Sequence, residues 1–129
     1  MKSELRITPN EKHLLAVVTG PYSLPEAKDD FTRILAACAT HKLSSVIVDV
    51  REVTIALPMT TMKRFEFAEF LARKSHESFG LGVQNLRLAL VGSKLHVDPN
   101  GFGETVGRNR GLNLKITTDM AEALAWIES

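Results

Sequence analysis

The spacing of apolar residues changes period several times along this chain, and each change marks a new element. Glu4-Leu5-Arg6-Ile7-Thr8 alternates polar and apolar, the period of a half-buried strand. After the polar turn Pro9-Asn10-Glu11-Lys12, His13 to Gly20 forms a second strand, and so short a connection predicts an antiparallel hairpin. Gly20-Pro21 is expected to end that strand, because proline offers no N–H to a ladder. Ser23-Leu24-Pro25-Glu26 has the form of a capping box. From there Leu24, Ala27, Phe31, Ile34, Leu35 and Cys38 recur at helical spacing to about Thr40, and His41-Lys42 places positive charge at the helix end.

Ser45-Val46-Ile47-Val48-Asp49-Val50 is short, β-branched and apolar on both alternating faces, as a central strand covered by helices would be. Arg51 to Pro58 has no clean period and is expected to be a connection, and Thr60 or Thr61 can cap the helix that follows. Met62, Phe65, Ala68 and Ala72 lie along one face of that helix, whereas Phe67 and Phe70 fall off it, giving a helix with two apolar sides. Gly80-Leu81-Gly82 breaks the chain before a strand at Leu86–Gly92. A loop at 96–103 then leads into a helix running to Arg110, with Gly111 as its stop residue. Leu112–Thr117 alternates as a last strand, and Thr118-Asp119 caps a closing helix through Ile127, where Trp126 is expected over the sheet edge or beside a neighbour. The order ββαβαβαβα predicts an α/β fold: a mixed, mostly parallel sheet with an N-terminal antiparallel hairpin and helices packed on it.

Composition narrows the functional classes. At 129 residues the chain fits one domain, 1–129, and 44% apolar with 24% charged residues is ordinary for a soluble protein. A formal charge of +1 gives no footing for nucleic-acid binding. The single Cys38 cannot form an internal disulfide, and no run approaches the roughly 20 apolar residues of a membrane span. Met1-Lys2-Ser3-Glu4-Leu5 has no export signal, so a cytoplasmic protein without integral membrane association is expected.

No constellation specifies a reaction. Asp49 lies near the carboxyl end of the central strand, where α/β sheets place ligand crevices, though such a residue more commonly pairs with a nearby base such as Arg51. His13, His41, His76 and His96 are scattered without metal-ligand spacing, and a hydrolase or transferase using Asp49 would need a histidine such as His96 brought beside it. Gly101 to Gly107 misses the dinucleotide-loop spacing by one residue and follows polar loop instead of strand. Cys38 falls in line with Phe31, Ile34 and Leu35 as a small core residue.

The Gly20-Pro21-Tyr22 exit, the Val46-Ile47-Val48-Asp49-Val50 strand, Arg108-Asn109-Arg110-Gly111 and the closing Asp119-to-Ile127 helix resemble the STAS superfamily. The nearest likeness is to its SpoIIAA-like branch, also grouped with Sec14-like lipid-binding domains. The resemblance implies a non-enzymatic binding or regulatory module without a cofactor. Relatives in the sporulation branch are anti-sigma-factor antagonists with a phosphorylatable serine, commonly within Asp-Ser-Ser-Gly, at the start of the helix after the Asp-bearing strand. Met59 stands at that position here, with Thr60 and Thr61 beside it, so a serine switch is not expected and a threonine switch is the alternative. The expected partners are a second copy of the chain through Phe67 and Phe70, and a partner protein or small apolar, lipid-like ligand. The latter would sit among Asp49, Met59, Thr60 and Phe102.

Overall fold

In a computed structural model, residues 3–54, 61–77, 86–93, 108 and 113–129 are described. They form β1 (Glu4–Pro9), β2 (Leu14–Pro21), α1 (Leu24–His41), β3 (Ser45–Thr54), α2 (Thr61–Glu77), β4 (Arg87–Val91), β5 (Asn113–Thr117) and α3 (Met120–Glu128). The helix expected to run to Arg110 lies outside the described residues apart from Arg108, whose guanidinium Nε donates to the Leu114 carbonyl at 3.0 Å.

The strands stand in the order β1-β2-β3-β4-β5, with β1 antiparallel to β2 and every later neighbour parallel. Crossovers β2-α1-β3 and β3-α2-β4 step across the sheet in one direction, so the same hand of connection puts both helices on one face. There, Phe31, Ile34, Leu35 and Cys38 of α1 and Phe70, Leu71 and Ala72 of α2 join Leu14, Ala16, Val46, Val48, Leu88 and Leu114 in the main core. The other face carries Ile47, Ala89 and Val91, covered by Ala123 and Ile127 of α3. Full burial of Ile47 between them is what an apolar strand covered on both sides requires.

Local chemistry sets the helix ends. The Ser23 hydroxyl accepts from the Glu26 N–H at 3.3 Å, and Pro25 sits in the first turn. The Glu26 carboxylate reaches further than a capping box needs: Oε2 accepts from both the N–H and hydroxyl of Ser3 at 2.9 Å, fastening the start of β1 to α1. At the other end Lys42 adopts the left-handed conformation (φ 56°, ψ 41°). Bonds from Lys42 N–H to Ala39 and from Leu43 N–H to Cys38 complete a Schellman stop. Asp119 caps α3 by accepting from Ala121 N–H at 2.9 Å. The last turn of α3 is closed by Arg87 of β4, which donates to the carbonyls of Trp126 (2.6 Å), Ile127 (3.1 Å) and Ser129 (2.8 Å). Its guanidinium lies 4.5 Å from the ring centre of Trp126, so that indole rests beside a strand-end cation.

β2 ends at Pro21, as the Gly20-Pro21 pair implies, but the expected end of β3 moves: it runs through Thr54 and stays paired with β2, Gly20 opposite Val53 and Pro21 opposite Thr54. The register changes between Val17–Asp49 and Thr19–Glu52, so β3 carries one extra residue. Such a bulge breaks the period of two, which is why Arg51 to Thr54 did not read as strand.

Candidate functional site

The site begins at that bulge. An extra residue in a strand leaves an N–H without a ladder partner, and such a group needs another acceptor. Asp49 supplies it: Oδ1 accepts from the Arg51 N–H at 3.1 Å and from Arg51 Nε at 3.0 Å, while Oδ2 accepts from Nη2 at 2.8 Å. Asp49 is buried, its side chain 12% exposed, and its strand partners are Val17 and Val91. Burial pushes its pKa up, but the two kinds of hydrogen bond from Arg51 and the guanidinium charge together outweigh burial and hold the carboxyl below its ordinary value. Asp49 is therefore ionised at neutral pH, a weak base fixed in a bidentate pair.

The sheet divides the residues that the sequence proposed as one site. Asp49 shares the face of Val91, which packs against α3. Phe67 and Phe70 belong to α2 on the opposite face. Phe70 is 6% exposed and meets Phe31 of α1 edge to face, ring centres 6.3 Å apart at 65°. Phe67 is half-buried and packs on the same core. The predicted second apolar side of α2 therefore finds its cover within the chain, from α1 and the sheet. Ala68, Phe70, Leu71 and Ala72 are all buried, so the two apolar sides merge into one broad inward arc. Met59, Thr60 and Phe102 lie outside the described residues, as does His96. Thr61 opens α2.

Met62 is the correction with functional weight. The spacing places it on one apolar side of α2 with Phe65, Ala68 and Ala72, yet it is 65% exposed, the most prominent large apolar side chain on the described surface. The nine steps from Met62 to buried Leu71 turn a helix by a net rotation of about 180°, so inward anchoring by Leu71 turns Met62 out. Leu71 was the signal available in the sequence. Near the amino end of α2, Tyr22 closes the exit of β2, its N–H bonded to the Thr54 carbonyl at 2.8 Å. Its buried hydroxyl has no hydrogen-bond partner among the described residues, and burial, with the nearby Glu66 charge, raises its pKa.

Other candidates are quiet. Cys38 is fully buried, and burial pushes its thiol up to about 11, far from a reactive thiolate. Among the described residues no helix is long and apolar enough to cross a membrane.

No protein-family model matches the sequence, and no curated protein does either. Among solved structures, the chain is similar to an anti-sigma factor antagonist from Mycobacterium paratuberculosis. The TM-score is 0.58 at 10% identity, over 99% of this chain and 96% of that one. The fold is SpoIIAA-like. An uncharacterised protein from Shewanella loihica PV-4, described by that same fold, aligns with a TM-score of 0.54 at 13% identity, covering 98% of this chain and 93% of the other. The SpoIIAA-like architecture fits the mixed five-stranded sheet with its one antiparallel pair, as the sequence resemblance implied.

Proposed function

We propose that this SpoIIAA-like chain is a non-enzymatic regulatory module that captures a partner protein on the amino-terminal turns of α2. The exposed Met62 carries the reading: an apolar side chain held in water on an ordered helix suits burial by a partner, and flexible Met surfaces suit protein docking. Likeness over the full length to an anti-sigma factor antagonist supports a protein partner as the class of ligand. A small apolar ligand is less well supported, because Phe31 already occupies the surface that Phe70 would offer it. A catalytic role for Asp49 is disfavoured by its bidentate pairing with Arg51 and lowered pKa, since a general base works best with a pKa near the operating pH.

The test is a photo-activated cross-linking residue placed at position 62 and, separately, at Thr40, an exposed site near the end of α1. The proposal expects one dominant protein adduct from position 62 only, competed away by excess wild-type chain but not by Met62→Glu. Identical adducts from both positions would overturn it. Thr61 begins a helix, where a phosphate would be electrostatically favoured, so the same assay with Thr60→Glu and Thr61→Glu tests the switch. Unchanged competition by both variants removes it.

A further inference from the structure

The outer edge of β1 is self-complementary. The hairpin closes with a bond from Asn10 N–H to the His13 carbonyl at 3.0 Å, which marks those two as a hydrogen-bonded pair. Antiparallel pairs alternate, so Thr8, Arg6 and Glu4 also turn their amide groups toward β2, while those of Leu5 and Ile7 point outward. Pro9 falls at an outward position, where its missing N–H costs no ladder bond. Leu5 and Ile7 lean half-buried onto the α1 face, and Glu4 and Arg6 stand exposed on the other. Neither Glu4 nor Arg6 has an ionic partner among the described residues. The Ser3–Glu26 bonds hold the start of this edge in place before any partner arrives.

We infer that a second copy of this chain pairs along β1, antiparallel and centred on Leu5, joining two sheets across a two-fold axis. In that register the outward amide groups of Leu5 bond reciprocally with those of the other copy, and Glu4 of each copy faces Arg6 of the other. Registers that keep each face on its own side shift in steps of two. Centring on Arg6 sets like charges opposite, which disfavours pairing, and centring on Ile7 leaves Glu4 without its Arg6. A charged edge is often a guard against association. A guard of one sign repels its own copy, whereas Glu4 and Arg6, two apart and opposite in sign, attract it. This contact is independent of partner capture at Met62.

Sedimentation velocity over a range of concentrations tests the pairing. The wild type should self-associate, and Arg6→Glu, which sets Glu4 against a new acid twice, should weaken the dimer by about tenfold or more. The exchanged variant Glu4→Arg/Arg6→Glu should recover it, and circular dichroism checks that each remains folded. In a Cys38→Ser background, Leu5→Cys should form an intermolecular disulfide on mild oxidation. Ile7→Cys should not, because the two copies of residue 7 lie about 14 Å apart along the strands. A wild type that stays monomeric overturns the inference. So does a dimer indifferent to Arg6→Glu, or cross-linking at Ile7→Cys in preference to Leu5→Cys.

Discussion

Phe70 offers the sharpest test of how α2 is packed. Its ring is 6% exposed, so truncation to alanine removes a nearly complete aromatic burial from a core also lined by Leu71, Ile34 and Phe31. Loss of a buried Phe side chain costs roughly 3–5 kcal/mol, including the cavity left behind. Two local features bear on where in that range it falls. The edge-to-face contact with Phe31 adds about 0.5–1.5 kcal/mol beyond area burial. Lys28 Nζ, Arg73 Cζ and Lys74 Nζ lie 5.4, 5.7 and 6.0 Å from the ring centre, so their aliphatic stems also lose a surface to cover. Lys74 already pairs with Glu77 at 3.1 Å, which limits its share. We expect Phe70→Ala to cost about 4 kcal/mol. With a urea m-value of about 2 kcal/mol/M, the midpoint should fall by about 2 M. Trp126, the single tryptophan, reports unfolding from the opposite sheet face. A cycle of Phe31→Leu, Phe70→Leu and the double variant should give a coupling of about 1 kcal/mol. A cost below about 1 kcal/mol for Phe70→Ala would refute the enclosed packing and return this ring to the surface.

Further expectations follow from Lys42, Tyr22 and the two buried carboxylates Asp49 and Asp30. Lys42 holds a left-handed conformation that glycine adopts without a Cβ penalty, so Lys42→Gly should raise stability by about 1 kcal/mol in urea unfolding; a loss would mean the side chain contributes more than its backbone costs. The buried Tyr22 hydroxyl lacks a partner among the described residues, so Tyr22→Phe should be neutral or stabilising by thermal melt, and a marked drop in melting temperature would reveal a bond to that oxygen. Asp49 and Asp30 should give acid limbs of opposite sign. The Asp49 pKa is lowered, so its contribution is present above the unfolded value of about 3.9 and lost as pH falls through the folded value; Asp49→Asn should flatten that limb. Burial raises the Asp30 pKa more than Arg33 and Ser3 lower it, so its folded form loses stability as pH rises through this range. Asp30→Asn should therefore gain most at neutral pH, with the gain vanishing below about pH 4, and a pH-independent difference would contradict the sign.

Where bonding is local, the sequence was readable. The hairpin, the Ser23 cap and the apolar stripe of α1 each depend on neighbours a few residues apart, and each stands where the local pattern puts it. What stayed hidden depends on distant partners or on a broken period. The bulge at Asp49–Arg51 shifts the parity of β3, so its last residues resemble a connection. Glu26 is drawn toward Ser3, 23 residues away, and the carbonyls of α3 are claimed by Arg87 across 39 residues and more. The exposure of Met62 follows from Leu71 on the same helix, whereas the cover over Phe70 comes from Phe31 of another helix, which no window on α2 alone contains. Of the proposed site, the sequence anticipated the Asp49–Arg51 pair but not that the sheet would set Asp49 and Phe70 on opposite faces.

That division bears on where a partner can act. The face carrying α1 and α2 fills itself with its own apolar side chains, and the face carrying α3 commits Ile47, Ala89 and Val91 to Ala123 and Ile127. Among the described residues, a ligand seeking apolar contact with either sheet face must displace packing whose loss costs several kcal/mol, a large fraction of a domain's stability. Recognition is less costly at a strand edge unpaired among the described residues or at a side chain that already meets water. The outward amides of β1 and the side chain of Met62 both answer that description, one at the sheet's edge and the other on the opening turns of α2. They share no residue, so a dimer joined through β1 leaves Met62 of each copy available, and one assembly can present two docking points to its partner. Arg6→Glu should then reduce capture by a bivalent or surface-bound partner while leaving the one-to-one affinity at Met62 unchanged. Equal loss in both formats would show that the two surfaces are not separate.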